Sequence, residues 1–199
     1  ANIVPMNTEY EVKFCGINVE AIRDKLKNNG GNLENPMRLM RRVVIDTPEL
    51  KEKDAFLRVR DEGGKTTLTY KQFHGSGVDG AKELEVTVSD FQTTVDILKA
   101  VGLDYKSLQE SKRETWTIDD AEVVIDEWPW LKPYIEVEGP SEESVRNTSK
   151  KLGLDWDNAI FGDVMAAYRT EYPNLPEGAS VGNIKEVKFG TELPDIFAN

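Results

Sequence analysis

TEYEVKF, residues 8–14, carries Glu9, Glu11 and Lys13 at alternate positions, with Tyr10, Val12 and Phe14 between them. Period-two alternation predicts a β-strand whose two sets of side chains point to opposite faces. One face holds two carboxylates and an ammonium, the other three apolar groups. Two kinds of sheet satisfy that pattern. An open sheet turns the charged face to water, where surface ion pairs contribute about 0–1 kcal/mol each. A sheet closed on itself, with helices packed on its apolar outer face, turns the same charges into its lumen.

The pattern repeats along the chain. Further strands are predicted at RRVVID (41–46), AFLRVRD (55–61), TTLTYKQF (66–73), KELEVTV (82–88), RETWTID (113–119), EVVIDE (122–127) and YIEVEG (134–139). Arg58 and Arg60 oppose Leu57 and Val59, and Thr67, Thr69 and Lys71 oppose Leu68 and Tyr70. Glu83 and Glu85 oppose Leu84 and Val86, Arg113 opposes Trp116, and Glu136 and Glu138 oppose Ile135 and Val137. Helical spacings ending on glycine interrupt the strands at Val19–Leu26, Phe91–Leu98 and Val145–Leu152. EYEV, ELEV and IEVE each precede one of these helices, a strand-to-helix unit reused at irregular intervals. The expected fold is α+β: a closed, eight-stranded antiparallel barrel with helices on the outside.

One domain is expected over residues 1–171, including a further helix from Asp157 to Arg169 that packs through Ile160, Val164 and Tyr168. Residues 172–199 read as an irregular tail, rich in proline and glycine, whose Val187, Phe189, Ile196 and Phe197 pack on the domain. The second EVKF, at 186–189, lacks a preceding Glu-x pair and reads as coincidence.

Bulk composition narrows the function. A net charge of −11 and an isoelectric point near 4.7 disfavour nucleic acid and anionic membranes as partners. No apolar run approaches the roughly 20 residues that span a bilayer, and the opening ANIVPMNT lacks the charged start and apolar core of a signal peptide, so the expected compartment is the cytoplasm. Cys15 and His74 are the only residues of their types. They can form neither an intrachain disulfide nor a Cys/His zinc cluster, and Cys15, following a strand, reads as a small core or turn residue. Any metal must then sit on oxygen.

The charges are also sorted, with acids concentrated on three strands and bases on three others. Polyphosphate would engage both kinds: arginine and lysine bind phosphate oxygens, and carboxylates hold the Mg²⁺ or Mn²⁺ that accompanies them. A charged ligand tunnel explains the sorting better than a solvated sheet face.

The ordered set E-x-E-x-K (Glu9, Glu11, Lys13), R-x-R (Arg58, Arg60), Lys71, E-x-E (Glu83, Glu85), Arg113, Asp126 and E-x-E (Glu136, Glu138) resembles the signature of the CYTH superfamily, the triphosphate tunnel metalloenzymes. The resemblance spans roughly residues 8–170, and LRVRDEGGKTTLTYKQ (57–72) is most similar to bacterial proteins described as class IV adenylate cyclases. It implies a tunnel that binds a nucleoside or inorganic triphosphate with divalent metal. Carried over by position, Glu9, Glu11, Asp126, Glu136 and Glu138 would ligate metal or activate water. Lys13, Arg58, Arg60, Lys71 and Arg113 would hold phosphates, with Glu11 and Lys71 as the expected catalytic pair. Glu83 and Glu85 would orient these bases or add to a second metal site. Where members often carry a lysine two residues before the β-strand arginine, this chain has Ser111, so that phosphate contact is either missing or supplied by Lys112 through a bulge, and Lys112 is counted among the expected phosphate-binding residues. Arg38, Arg41 and Arg42 either reach substrate at the tunnel mouth or offset the acidic surface.

Three functions remain open on the sequence. Triphosphate hydrolysis is favoured, because water is a simpler nucleophile to place than a folded ribose. Cyclisation of ATP to cyclic AMP and pyrophosphate, and nucleotide or polyphosphate binding without turnover, are the alternatives. A homodimer is compatible with each.

Overall fold

A computed structural model describes residues 5–198; residues 1–4 and 199, at the outer ends of the expected domain and tail, lie outside the described residues. Residues 8–14 fall within β1 (Asn7–Phe14), and a right-handed helix α1 (Val19–Asn28) follows, capped by the Asn18 side chain accepting from the Ala21 N–H. Next come β2 (Asn32–Ile45), the single-turn α2 (Pro48–Lys51), β3 (Ala55–Asp61), β4 (Thr66–Phe73) and β5 (Ala81–Val88). α3 (Phe91–Ala100) leads to β6 (Ser107–Ile118), β7 (Ala121–Trp128) and β8 (Leu131–Gly139), and the chain continues with α4 (Glu142–Lys151), α5 (Val164–Glu171) and the two-residue β9 (Glu186–Val187).

The strands follow the order β2-β3-β4-β5-β1-β8-β7-β6, and a β2–β6 pairing closes the barrel. All eight pairings around the barrel are antiparallel. The fold is the expected α+β barrel.

Parity holds at β1: Val12 and Phe14 are buried against Ile22 and Leu26 of α1 and Val145 of α4. The outer faces of β6, β7 and β8 add Trp116, Val123, Ile125, Ile135 and Val137 to this core. Gly139 admits α4 at close range, since a Cβ there would lie 2.6 Å from Ser144 Oγ. α3 covers less, packing Val95 on Val43 and Val59, and Leu84 and Val86 on β5 remain exposed. Glu114 departs from the apolar rule on the outer face. Its carboxylate accepts from Arg23 Nε (3.0 Å) and Nη2 (2.8 Å) and from Trp116 Nε1 (2.7 Å), which ties α1 to β6.

The expected helix from Asp157 to Arg169 is corrected. Trp156–Asn158 form a 3-10 turn, and Ile160 bridges to Lys13 of β1. Gly162 takes a φ of 105°, a left-handed geometry suited to glycine, and only then does Asp163 cap α5 through the Met165 N–H. The backbone hydrogen bonds that a continuous helix would keep are instead exchanged with β1, where Lys13 and Ile160 bond in both directions at 2.9 Å.

The second EVKF also has a structural part. Glu186–Val187 pair parallel to Leu108–Gln109 of β6, and Val187 is buried. Around it, Leu175, Val181 and Phe197 of the tail join Met165 and Tyr168 of α5 and Trp128 and Tyr134 of the barrel in one apolar cluster.

Candidate active site

Closure brings the sorted charges into two facing arcs. β5, β1 and β8 are neighbours and present Glu83, Glu85, Glu9, Glu11, Glu136 and Glu138 to a shared cavity, while β6, β2 and β3 are neighbours and present Arg113, Arg38, Arg42, Arg58 and Arg60. The cavity measures about 790 Å³, within the range of sites that enclose small organic ligands.

On the acidic wall, register places Glu11 directly opposite Glu138, and Lys13 opposite Glu136. Lys13 Nζ lies 3.0 Å from Glu136 Oε2 and 3.2 Å from Glu11 Oε1. Lys71 Nζ reaches Glu9 Oε2 at 2.6 Å and Glu11 Oε2 at 3.4 Å. Burial works against the Lys13 ammonium, but Glu136 and Glu11 override it and hold its pKa above the usual lysine range. Burial likewise opposes the Glu136 carboxylate, and Lys13 and Arg113 override it to hold its pKa below the usual range. Glu138 has no such partner among the described residues. Burial, reinforced by Glu9, Glu136 and Glu11, pushes its pKa up to about 8, and burial beside Glu9 pushes Glu83 to about 7.

Carboxylate oxygens of Glu11, Glu136 and Glu138 lie within 4.8 Å of one another. Such a set of hard oxygen donors fits Mg²⁺ or Mn²⁺. Glu9 and Asp126, expected in the same ligand set, are engaged elsewhere: Glu9 with Lys71, and Asp126 with Arg113 Nε (2.7 Å) and Nη2 (2.6 Å).

On the basic wall, Arg60 meets Glu62 at 2.6 Å, and Arg58 is 3.7 Å from Glu85 and donates to Thr69 Oγ1 at 3.3 Å. Burial, deepened by Arg60, lowers the Arg58 pKa to about 10. Arg38 faces the cavity and lies 3.6 Å from Glu62, whereas Arg41 points outward to Asp61 and the Phe91 ring. Lys112 is not brought into the cavity. β6 pairs with β7 in unbroken register from Lys112–Glu127 onward, so no bulge rotates it inward, and its ammonium lies 3.7 Å from Glu127 and over the Phe189 ring. The register shifts lie instead in the β2–β6 pairing, between Leu33 and Arg38.

Of the two roles left open for Arg42, the structure gives it the cavity-lining position, and sequence reasoning left out Glu62, Glu122, Trp128 and Tyr134, which also line the cavity. Parity could have found three of them: Tyr134 lies two residues before Glu136, and Glu122 and Trp128 lie in step with Asp126. Tyr134 donates to Asp126 Oδ2 at 3.3 Å. At the end of the barrel where β4 and β7 finish, Phe56, Phe73 and Trp128 are joined by Met165 and Val181, so the tail forms part of the wall.

The model of the CYTH domain matches residues 7–158, the stretch that builds this two-walled barrel. The chain belongs to the CYTH family. No curated protein matches it at a significant level. Among solved structures, this CYTH protein resembles a putative adenylate cyclase from Vibrio parahaemolyticus, with 12% identity and a TM-score of 0.70 over 82% of this chain and 99% of that one. It also resembles a protein from Pyrococcus horikoshii OT3, with 21% identity and a TM-score of 0.65 over 76% of this chain and 93% of that one. A putative adenylate cyclase from Bacillus halodurans is 20% identical, with a TM-score of 0.53 over 76% of this chain and 93% of that one. At these identities the likeness establishes the fold. Among the described residues, no helix is long and apolar enough to cross a membrane.

Proposed function

We propose that this CYTH protein is a divalent-metal-dependent phosphohydrolase that cleaves a triphosphate inside the barrel. The observation that carries the reading is the division of the lumen into a carboxylate wall, centred on Glu11, Glu136 and Glu138, and a guanidinium wall facing it. An anion binder alone would gain nothing from the carboxylates. A cation binder alone would gain nothing from the arginines.

Arg58, Arg60 and Arg113 hold the phosphate chain, exchanging the oxygens of Glu85, Glu62 and Asp126 for those of the substrate. Glu11, Glu136 and Glu138 would hold a divalent ion, which would supply Lewis acidity toward phosphate oxygen and water. Water attacks the terminal phosphorus, its proton passes to Glu11, and the bond to the bridging oxygen breaks to release orthophosphate and the shortened diphosphate. Lys13 and Lys71, on either side of Glu11, position its carboxylate, and Lys71 offsets charge on the departing group.

Cyclisation of ATP is the second reading, favoured by the apolar end of the cavity at Phe56, Phe73 and Trp128, which would accept a nucleobase. Product analysis after incubation with ATP and Mn²⁺ separates the two. Orthophosphate and ADP support hydrolysis, cyclic AMP with pyrophosphate supports cyclisation, and ATP and tripolyphosphate both bound but unchanged would assign a binding role instead.

A further inference from the structure

Arg42 is a buried cation with no anion of its own among the described residues. Only 8% exposed, it donates from Nη2 to the neutral Ser111 Oγ at 2.9 Å, and its Nε finds no acceptor among the described residues. The guanidinium stacks 4.5 Å from the centre of the Trp128 ring, which holds it in place without neutralising it. Burial is the largest influence on its charge, and the guanidiniums of Arg60, Arg58 and Arg113 add to the penalty. Asp126, which attracts it, is already held by two nitrogens of Arg113. The other arginines and lysines of the two walls differ: Lys13, Lys71, Arg60 and Arg113 each have a carboxylate within 3.0 Å, and Arg38 and Arg58 have one at 3.6 and 3.7 Å.

Leaving one charge buried and unpaired destabilises a fold, a cost that a bound anion would offset. Arg42 faces the cavity from β2, directly opposite Arg60 of β3, and Arg58 has an unpartnered Nε of its own. We propose that Arg42 is a phosphate-binding residue of the tunnel, and that with Arg58 and Arg60 it forms a three-guanidinium anion subsite on the β2–β3 wall. This inference rests on the triphosphate reading and deepens it by naming where the anion sits. Arg42 is then held at the expense of the empty protein's stability, an arrangement expected of a binding residue and not of a structural one.

The test is calorimetric titration of tripolyphosphate into the full chain in EDTA, so that binding is read without turnover, together with melting temperatures of the unliganded proteins. Arg42→Met keeps an unbranched apolar stem and removes the charged guanidinium that stacks on Trp128. It should weaken tripolyphosphate binding about 10- to 100-fold, the range for a lost charge-assisted hydrogen bond. The unliganded variant should melt at the wild-type temperature or above. Adding Ser111→Lys to that variant returns a cation from the neighbouring strand and should recover most of the lost affinity. Arg42→Lys should fall between, keeping the charge and losing the planar fork. Binding by Arg42→Met within two-fold of wild type would overturn the inference and leave the tunnel reading standing. A clear drop in its melting temperature, or failure to fold, would also overturn it by making Arg42 structural. A folded wild-type protein that takes up no tripolyphosphate overturns the tunnel reading and this inference with it.

Discussion

Glu11 and Glu138 stand directly opposite one another on the antiparallel pair β1–β8. Like charges in that position destabilise a sheet, and Glu138 accordingly holds a proton up to about pH 8, burial being the main cause and Glu9, Glu136 and Glu11 adding to it. Its folded pKa lies above the ordinary 4.5, so between these values the folded chain binds more protons than the unfolded one. Stability of the metal-free protein therefore falls as pH rises through this window, by up to about 1.4 kcal/mol per pH unit from this group. Glu138→Gln should flatten the slope and raise the melting temperature at pH 8.5 in EDTA. It should also reduce the stabilisation that Mn²⁺ confers on the wild-type protein. A variant with an unchanged slope and an unchanged response to Mn²⁺ would place Glu138 outside the metal site.

Arg58 and Lys112 should separate the inside of the barrel from the outside. Arg58→Ala removes a cavity-lining guanidinium and should lower kcat/KM for tripolyphosphate about 10- to 100-fold. Lys112→Ala removes a cation that sits over Phe189 on the outer surface and should leave both kcat and KM within about two-fold. Equal losses in the two variants would contradict this placement.

Glu114 tests the outer wall. Its carboxylate binds Arg23 and Trp116 on the outer face, and Glu114 does not line the cavity. Glu114→Ala strands the indole N–H and one face of the guanidinium, which should cost about 2 kcal/mol of stability. The melting temperature should fall by about 5 °C with kcat preserved. A loss of kcat at an unchanged melting temperature would show that the pair acts on the site.

Phe197 tests the tail. It stacks on Tyr168 at 5.2 Å and lies 4.9 Å from Tyr172, within the cluster that includes the cavity residues Met165 and Val181. Phe197→Ala should destabilise the chain by about 3–5 kcal/mol, read by denaturant unfolding. A change below about 1 kcal/mol would mean that the tail is only loosely docked.

What the sequence revealed depended on period-two parity. Glu9, Glu11 and Lys13 declared their face because Tyr10, Val12 and Phe14 declared the other, and the same reasoning placed Arg58, Glu83 and Glu136. It did not show that β5, β1 and β8 would be neighbours, because strand order is set by closure across distant parts of the chain. It misplaced Lys112 by assuming a bulge on β6, when the irregularity belongs to β2 around Pro36. Arg42 was grouped with Arg38 and Arg41 with its role left open, although Val43 and Ile45, which are buried and point away from it, give it the inner face. The adjacent Arg41, on the opposite face, obscured that signal. The helix expected across 157–169 failed for a local reason, a glycine followed by a capping aspartate at 162–163, which marks a start and not an interior.

The central claim is that the barrel turns over a triphosphate with a divalent metal and with Glu11 accepting the proton. The most direct measurement is orthophosphate release from tripolyphosphate by wild type and Glu11→Gln, each with Mn²⁺ and with EDTA. The account predicts release by wild type only with Mn²⁺, and at least a 100-fold lower kcat for Glu11→Gln at an unchanged fold. Equal release by wild type and Glu11→Gln, or none from a folded wild-type protein saturated with substrate and metal, would contradict it.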